Sequence, residues 1–122
     1  MKMKKILIAL IAFVFLLGLT SVALAKVIKI GGIKDTTGAT SDVGKDAALG
    51  QEEFWSHYVN DHGGINGKKV KYTWFDYGYR IPEALTNYKL LKRMGVLAIM
   101  GWGTGDTEAL SPTINKLSLI HI

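Results

Sequence analysis

Cysteine is absent from this 122-residue sequence, proline occurs only twice and histidine only three times. Without thiols there are no disulfides, so a folded domain must rest on a hydrophobic core. His57, His62 and His121 show no metal-ligand spacing, and neither a metal nor another cofactor is expected. The sequence contains no Gly-x-Ser-x-Gly elbow and no phosphate-binding loop of the Gly-x4-Gly-Lys type. Internal repeats and low-complexity linkers are missing too, and the length allows one domain at most.

What is present begins with an export leader. Met1 to Lys5 carries three lysines, Ile6 to Leu19 is uncharged and almost wholly apolar, and Ala23-Leu24-Ala25 is an Ala-x-Ala cleavage pattern. The expectation is a cleavable signal peptide over residues 1–25, hence a periplasmic or other extracytoplasmic location. The rival is an uncleaved anchor, since Ile6 to Ala25 is just long enough to span a bilayer. The formal charge of +5 shrinks with the leader: the 15 Lys and Arg less those three leave 12, against 10 acids. A net of +2 gives no electrostatic footprint for nucleic acid, and Lys68, Lys69 and Lys71 beside one turn read as a solvated face.

Beyond the leader, strands and helices alternate. Lys26–Ile33 is β-branched and closed by glycines, a first strand. Val43–Asn60 reads as a helix with Val43, Ala47, Gly50, Gln51, Phe54, Trp55, Tyr58 and Val59 on the buried side. Glu52, Glu53, Ser56, His57 and Asn60 fall on the wet side, together with Leu49. His62-Gly63-Gly64 ends that helix and Asn66-Gly67 turns the chain into a second strand, Val70–Asp76, with Val70, Tyr72 and Trp74 on one face. Asn-Gly favours a hairpin, but a long helix precedes it, so a helix-to-strand return is expected. Pro82 opens a second helix with Ala84, Leu85, Tyr88 and Leu91 as its stripe, stopped by Gly95. Val96–Met100 is apolar throughout, as a strand covered on both faces is. A third helix follows the glycine loop, or begins only at Ser111 because Pro112 would kink its interior. This βαβαβα alternation predicts an α/β fold with a parallel sheet.

Two loops carry the candidate chemistry. Gly101-Trp102-Gly103-Thr104-Gly105-Asp106 resembles a dinucleotide fingerprint, but it is G-x-G-x-G and follows the third strand rather than the first. Small residues there let a ligand approach the backbone, and N–H groups at a helix start attract a carboxylate. Thr104 and Thr107 add hydroxyls, while Asp106 either caps the helix or meets an ammonium. If the strand order is 2-1-3, the loop after strand one opens onto the same crevice, with Thr37, Thr40, Ser41, Asp42 and Val43. Trp102 and Tyr79 leave strand ends and are candidate pocket walls.

Thr37-Gly38, Val43-Gly44, the phrase Asn60-Asp61-His62-Gly63-Gly64-Ile65-Asn66-Gly67-Lys68-Lys69-Val70, and Asp76 closing strand two occur in this order. In that order they resemble the extracytoplasmic solute-binding proteins of branched-chain amino acid ABC transporters, the leucine/isoleucine/valine-binding, type I periplasmic-binding family. The resemblance covers residues 26–117. It implies two α/β lobes that close on a solute, with residues 26–122 the incomplete first part of lobe one; residues 117–122, which look like translated sequencing-adapter read-through, are set apart as a non-native tail. It implies no catalysis, a small-molecule solute and an inner-membrane ABC permease as partners, and ligand contacts from Asp42 and Val43 and from Trp102, Gly103, Thr104, Gly105, Asp106 and Thr107.

Departures from the family pattern bear on the ligand. Val43 stands where amino-acid binders often carry an aromatic, and Thr104-Gly105-Asp106 where they place serines or small residues. Tyr77–Arg80 lacks the acidic residues common after strand two. These departures point to a ligand other than leucine or valine, such as an amide, another amino acid or a small organic acid, an aromatic acid among them. The competing readings are the ligand-sensing ectodomain of a receptor and a nucleotide-dependent Rossmann-type enzyme. The export leader and the glycine spacing both stand against the latter.

Overall fold

A computed structural model describes residues 27–117; the leader, on which the signal-peptide expectation falls, and residues 118–122, all of the expected tail but Leu117, lie outside them. Three parallel strands form one sheet: β1 (Ile28–Lys34), β2 (Val70–Asp76) and β3 (Ala98–Met100), in the order β2-β1-β3. Ile30 lies opposite Tyr72 on one side and Ala98 on the other. Parallel neighbours need crossovers, which three helical segments supply. α1 is one rod made of an α-helical stretch (Ser41–Glu52), a π-helical turn (Glu53–Tyr58) and a last α-turn (Val59–Asp61). α2 spans Ile81–Arg93 and α3 spans Thr104–Leu117.

Period-2 alternation in β1 and β2 divides the core between the two faces of the sheet. On one face Ile30, Val70 and Tyr72 pack with Trp55 and Val59 of α1. On the other, Ile33 and Ile99 pack with Ala84, Tyr88 and Leu91 of α2 and Leu110 and Ile114 of α3. Fully buried side chains such as Ile33 and Leu91 each contribute roughly 1.5–3 kcal/mol. The architecture is therefore α/β with helices on both faces, and β2 and the α2 stripe coincide with their expected positions.

Several details differ from the sequence reading. The buried face of α1 is rotated: Gly44 and Ala48 are buried, whereas Val43 is 66% exposed and Phe54 and Tyr58 also face outward. The π turn widens the helix by about one residue, which breaks the phase of an ideal wheel. Glu52 points to the sheet instead of water and accepts from the Trp74 indole at 2.6 Å. The Asn66-Gly67 turn lies within a helix-to-strand return, yet both residues are left-handed and Ile65 bridges Lys68, so a minute hairpin is built into it. α3 runs unbroken through Pro112, because Pro112 and Glu108, whose carbonyl loses its partner, are both exposed. β3 borders only β1 among the described residues, and Leu97 just before it is 69% exposed.

Candidate functional site

Because all three strands run parallel, the loops that follow them emerge at the same end of the sheet, beside the strand where the order reverses. Each loop is organised by an aspartate. Asp35 directly follows β1 and is fully buried; its carboxylate accepts from Gly38 N at 2.6 Å, Thr40 N at 2.7 Å and Thr40 Oγ1 at 2.8 Å. Burial pushes this carboxyl up, but the hydrogen bonds from Thr40 and Gly38 outweigh it and hold the group below the ordinary carboxylate range. Asp76 closes β2 and accepts from Thr36 N at 2.7 Å, from the Thr37 hydroxyl and from Gly78 N at 3.2 Å, tying the second loop to the first. It too is held low by those donors against the opposing effect of burial.

Asp106, in the first turn of α3, is fully buried. Its Oδ1 accepts from the Tyr77 hydroxyl and from Gly103 N, both at 2.9 Å, and Oδ2 from Trp102 N at 3.4 Å. Burial and the bond to Asp106 drive the Tyr77 hydroxyl far above its usual pKa, so it stays a donor. Of the two roles open to Asp106, this geometry is that of a cap that also locks the β3 loop onto the β2 loop. Thr107 likewise turns inward and donates to Gly103 O at 2.7 Å.

The β3 loop meets the β1 loop through Trp102, whose indole Nε1 donates to Thr40 Oγ1 at 2.7 Å. Two glycines mark where backbones crowd. A Cβ on Gly44 would overlap the Asp35 carbonyl oxygen, and one on Gly103 would lie 2.8 Å from Asp106 Oδ1 and 2.9 Å from Tyr77 Oη. What remains on the outer side of the rim is Asp42, Val43 and Thr104, all exposed, with Trp102, Gly103 and Gly105 half-buried beside them. Tyr79 joins them, its ring tilted 33° against that of Tyr77 at 5.8 Å between centroids, and its backbone held in the left-handed region at φ 58°. A cleft lined by Lys29, Lys71, Thr73, Met94 and Val96 lies at the other end of the strands, away from all of these.

Of the eight residues singled out from sequence, six share this rim as surface or wall, while Asp106 and Thr107 are spent on holding it. Sequence reading missed Lys34 and Asp35. The first strand had been closed at Ile33, and a lysine ending an apolar strand next to an aspartate was the available signal.

The model of a family described as periplasmic binding protein matches residues 27–121. Among solved structures, an ABC transporter substrate-binding protein from Aeropyrum pernix is 37% identical with TM-score 0.68, covering 78% of this chain and 26% of its own. The fatty acid ABC transporter substrate-binding protein from Thermomonospora curvata is 29% identical, with TM-score 0.72 and coverage of 79% and 24%. A branched-chain amino acid transporter substrate-binding protein from Streptococcus pneumoniae, solved with isoleucine, is 26% identical, with TM-score 0.68 and coverage of 79% and 28%. The chain thus spans about a quarter of the length of these structures. No curated protein matches it.

Proposed function

Since the chain belongs to the periplasmic binding protein family, we propose that it supplies the first part of lobe one of an extracytoplasmic solute receptor. The receptor holds a small polar solute between two lobes and hands it to an ABC permease in the membrane. The observation that carries this reading is the Trp102–Thr40 hydrogen bond, which joins two loops from adjacent parallel strands into one continuous rim. Such a rim binds without bond chemistry: its donors and aromatic faces contact solute, and lobe closure follows from the differential affinity of the closed state.

The solute class in this reading is an amino acid, an amide or a small organic acid. Val43, exposed on the rim beside the Trp102 loop, supports a ligand with an apolar portion. Asp106 is committed to Tyr77, so among the described rim residues Asp42 is the exposed carboxylate for an ammonium group. Thermal-shift screening of the full-length mature protein against amino acids, amides and small organic acids tests the proposal. A saturable rise in melting temperature with one class is expected. Stabilisation by nicotinamide nucleotides alone would overturn it in favour of an enzyme.

A further inference from the structure

Lys34 ends β1 and is 1% exposed. Its ammonium reaches the neighbouring β3 loop, where Nζ donates to Gly101 O at 3.4 Å and stands 5.6 Å from the centroid of the Trp102 ring. One long hydrogen bond and one cation–π contact are poor compensation for taking an ammonium out of water. An apolar residue would end this strand more stably, so core packing does not account for a lysine here. Its contacts are instead with the turn that carries Trp102 to Thr40.

We propose that Lys34 is a positioning residue for the solute rim: its buried ammonium pins the Gly101–Trp102 turn so that the Trp102 indole meets the Thr40 hydroxyl. The proposal rests on reading this rim as the solute site. Asp106 of α3 attracts the ammonium, while Tyr77, after β2, donates to that same carboxylate. The other nearby acids are turned away, Asp35 onto Gly38 and Thr40 and Asp76 onto Thr36, Thr37 and Gly78. Burial lowers the Lys34 pKa to about 8 against the pull of Asp106, which brings loss of the charge into an accessible range.

The test uses full-length protein labelled with 15N-tryptophan and needs no solute. Trp102→Phe identifies the Trp102 indole signal among the tryptophan indole signals. In the wild type that signal is expected to shift with a midpoint near pH 8. In Lys34→Met it stays flat at the high-pH position, and in Lys34→Arg, which keeps its charge, flat near the low-pH position. A wild-type signal that does not move between about pH 6 and about pH 10 overturns the proposal, whatever the variants do. So does the same titration persisting in Lys34→Met. Failure to find any solute would count against the receptor reading and leave this measurement intact.

Discussion

The indole nitrogen of Trp102 lies 2.7 Å from the hydroxyl of Thr40, a contact between residues 62 positions apart in the chain. Thr40 Oγ1 donates its own proton to Asp35 while accepting from Trp102, so this hydroxyl is the middle member of a relay from a buried carboxylate to the rim. Removing the Thr40 hydroxyl leaves the Trp102 indole N–H without this acceptor and Asp35 short of one donor, whereas removing the indole leaves the Thr40 hydroxyl only its bond to Asp35. Thr40→Val and Trp102→Phe in full-length protein are each expected to lower stability by about 1 kcal/mol. Their double mutant should show a coupling of similar size. Solute affinity should fall by about fivefold in each single variant. Urea melts and titrations that find the two effects fully additive would remove this bond as the junction of the loops.

Gly44 supports the same junction from below. The first turn of α1 lies so close to the Asp35 carbonyl that any side chain would collide with backbone, which cannot rotate aside. Gly44→Ala is expected to cost about 3 kcal/mol, at the upper end for overpacking, despite alanine's better helix propensity. Gly50, on the same helix with open space around it, is the control. Gly50→Ala should stabilise by about 1 kcal/mol, and chemical denaturation of both variants checks the contrast.

How much of this was legible beforehand follows from local and non-local causes. Val70–Asp76 could be read to the residue because alternation and the Asn-Gly turn are local. The order β2-β1-β3, and with it the meeting of the two loops, entered the sequence reading only as a condition: right-handed crossovers are compatible with it, but handedness alone does not choose the side of β1 on which each strand pairs. The outward turn of Phe54 and Tyr58 was hidden because a π turn has no strong composition signal, and a wheel at constant pitch cannot represent it; Val43, in the regular stretch before that turn, faces out because Gly44 takes the place against Asp35. Asp106 was legible as a cap or a ligand, and only Tyr77, 29 residues away, decides where its oxygens point. Lys34 lay outside the strand as read, which closed at Ile33, and its burial involves the Trp102 loop 67 residues away.

Acid should loosen the rim before it unfolds the core. Asp35 and Asp76 both have folded-state pKa values below the ordinary 3.8. Each therefore contributes stability that is present above about pH 4 and lost as pH falls through its folded value. Asp35→Asn should already cost about 1–3 kcal/mol at neutral pH, because an amide nitrogen replaces one acceptor facing Thr40 or Gly38. It should also flatten the stability profile below pH 4. Denaturant midpoints taken from pH 7 down to pH 2 measure both, and a wild-type profile flat in that range would contradict the role given to these carboxylates.

Lys34 has the opposite sign. Its folded-state pKa of about 8 lies below the 10.5 of an exposed lysine. Between these values the unfolded chain holds a proton that the folded chain lacks, so stability rises with pH across that window. Below about pH 8 both states are charged and the folded state bears the whole cost of the buried ammonium, roughly 3 kcal/mol from the difference of the two values. Lys34→Met is therefore expected to be more stable than wild type at pH 7, by up to about 3 kcal/mol, with the gap closing toward pH 10.5. A variant that melts higher while its Trp102 indole no longer holds the low-pH position would separate the two roles of this residue: a burden on the fold and a constraint on the rim. If Lys34→Met is instead destabilised equally at pH 7 and pH 10.5, the ammonium is not a buried charge in the folded protein, and both expectations fall together.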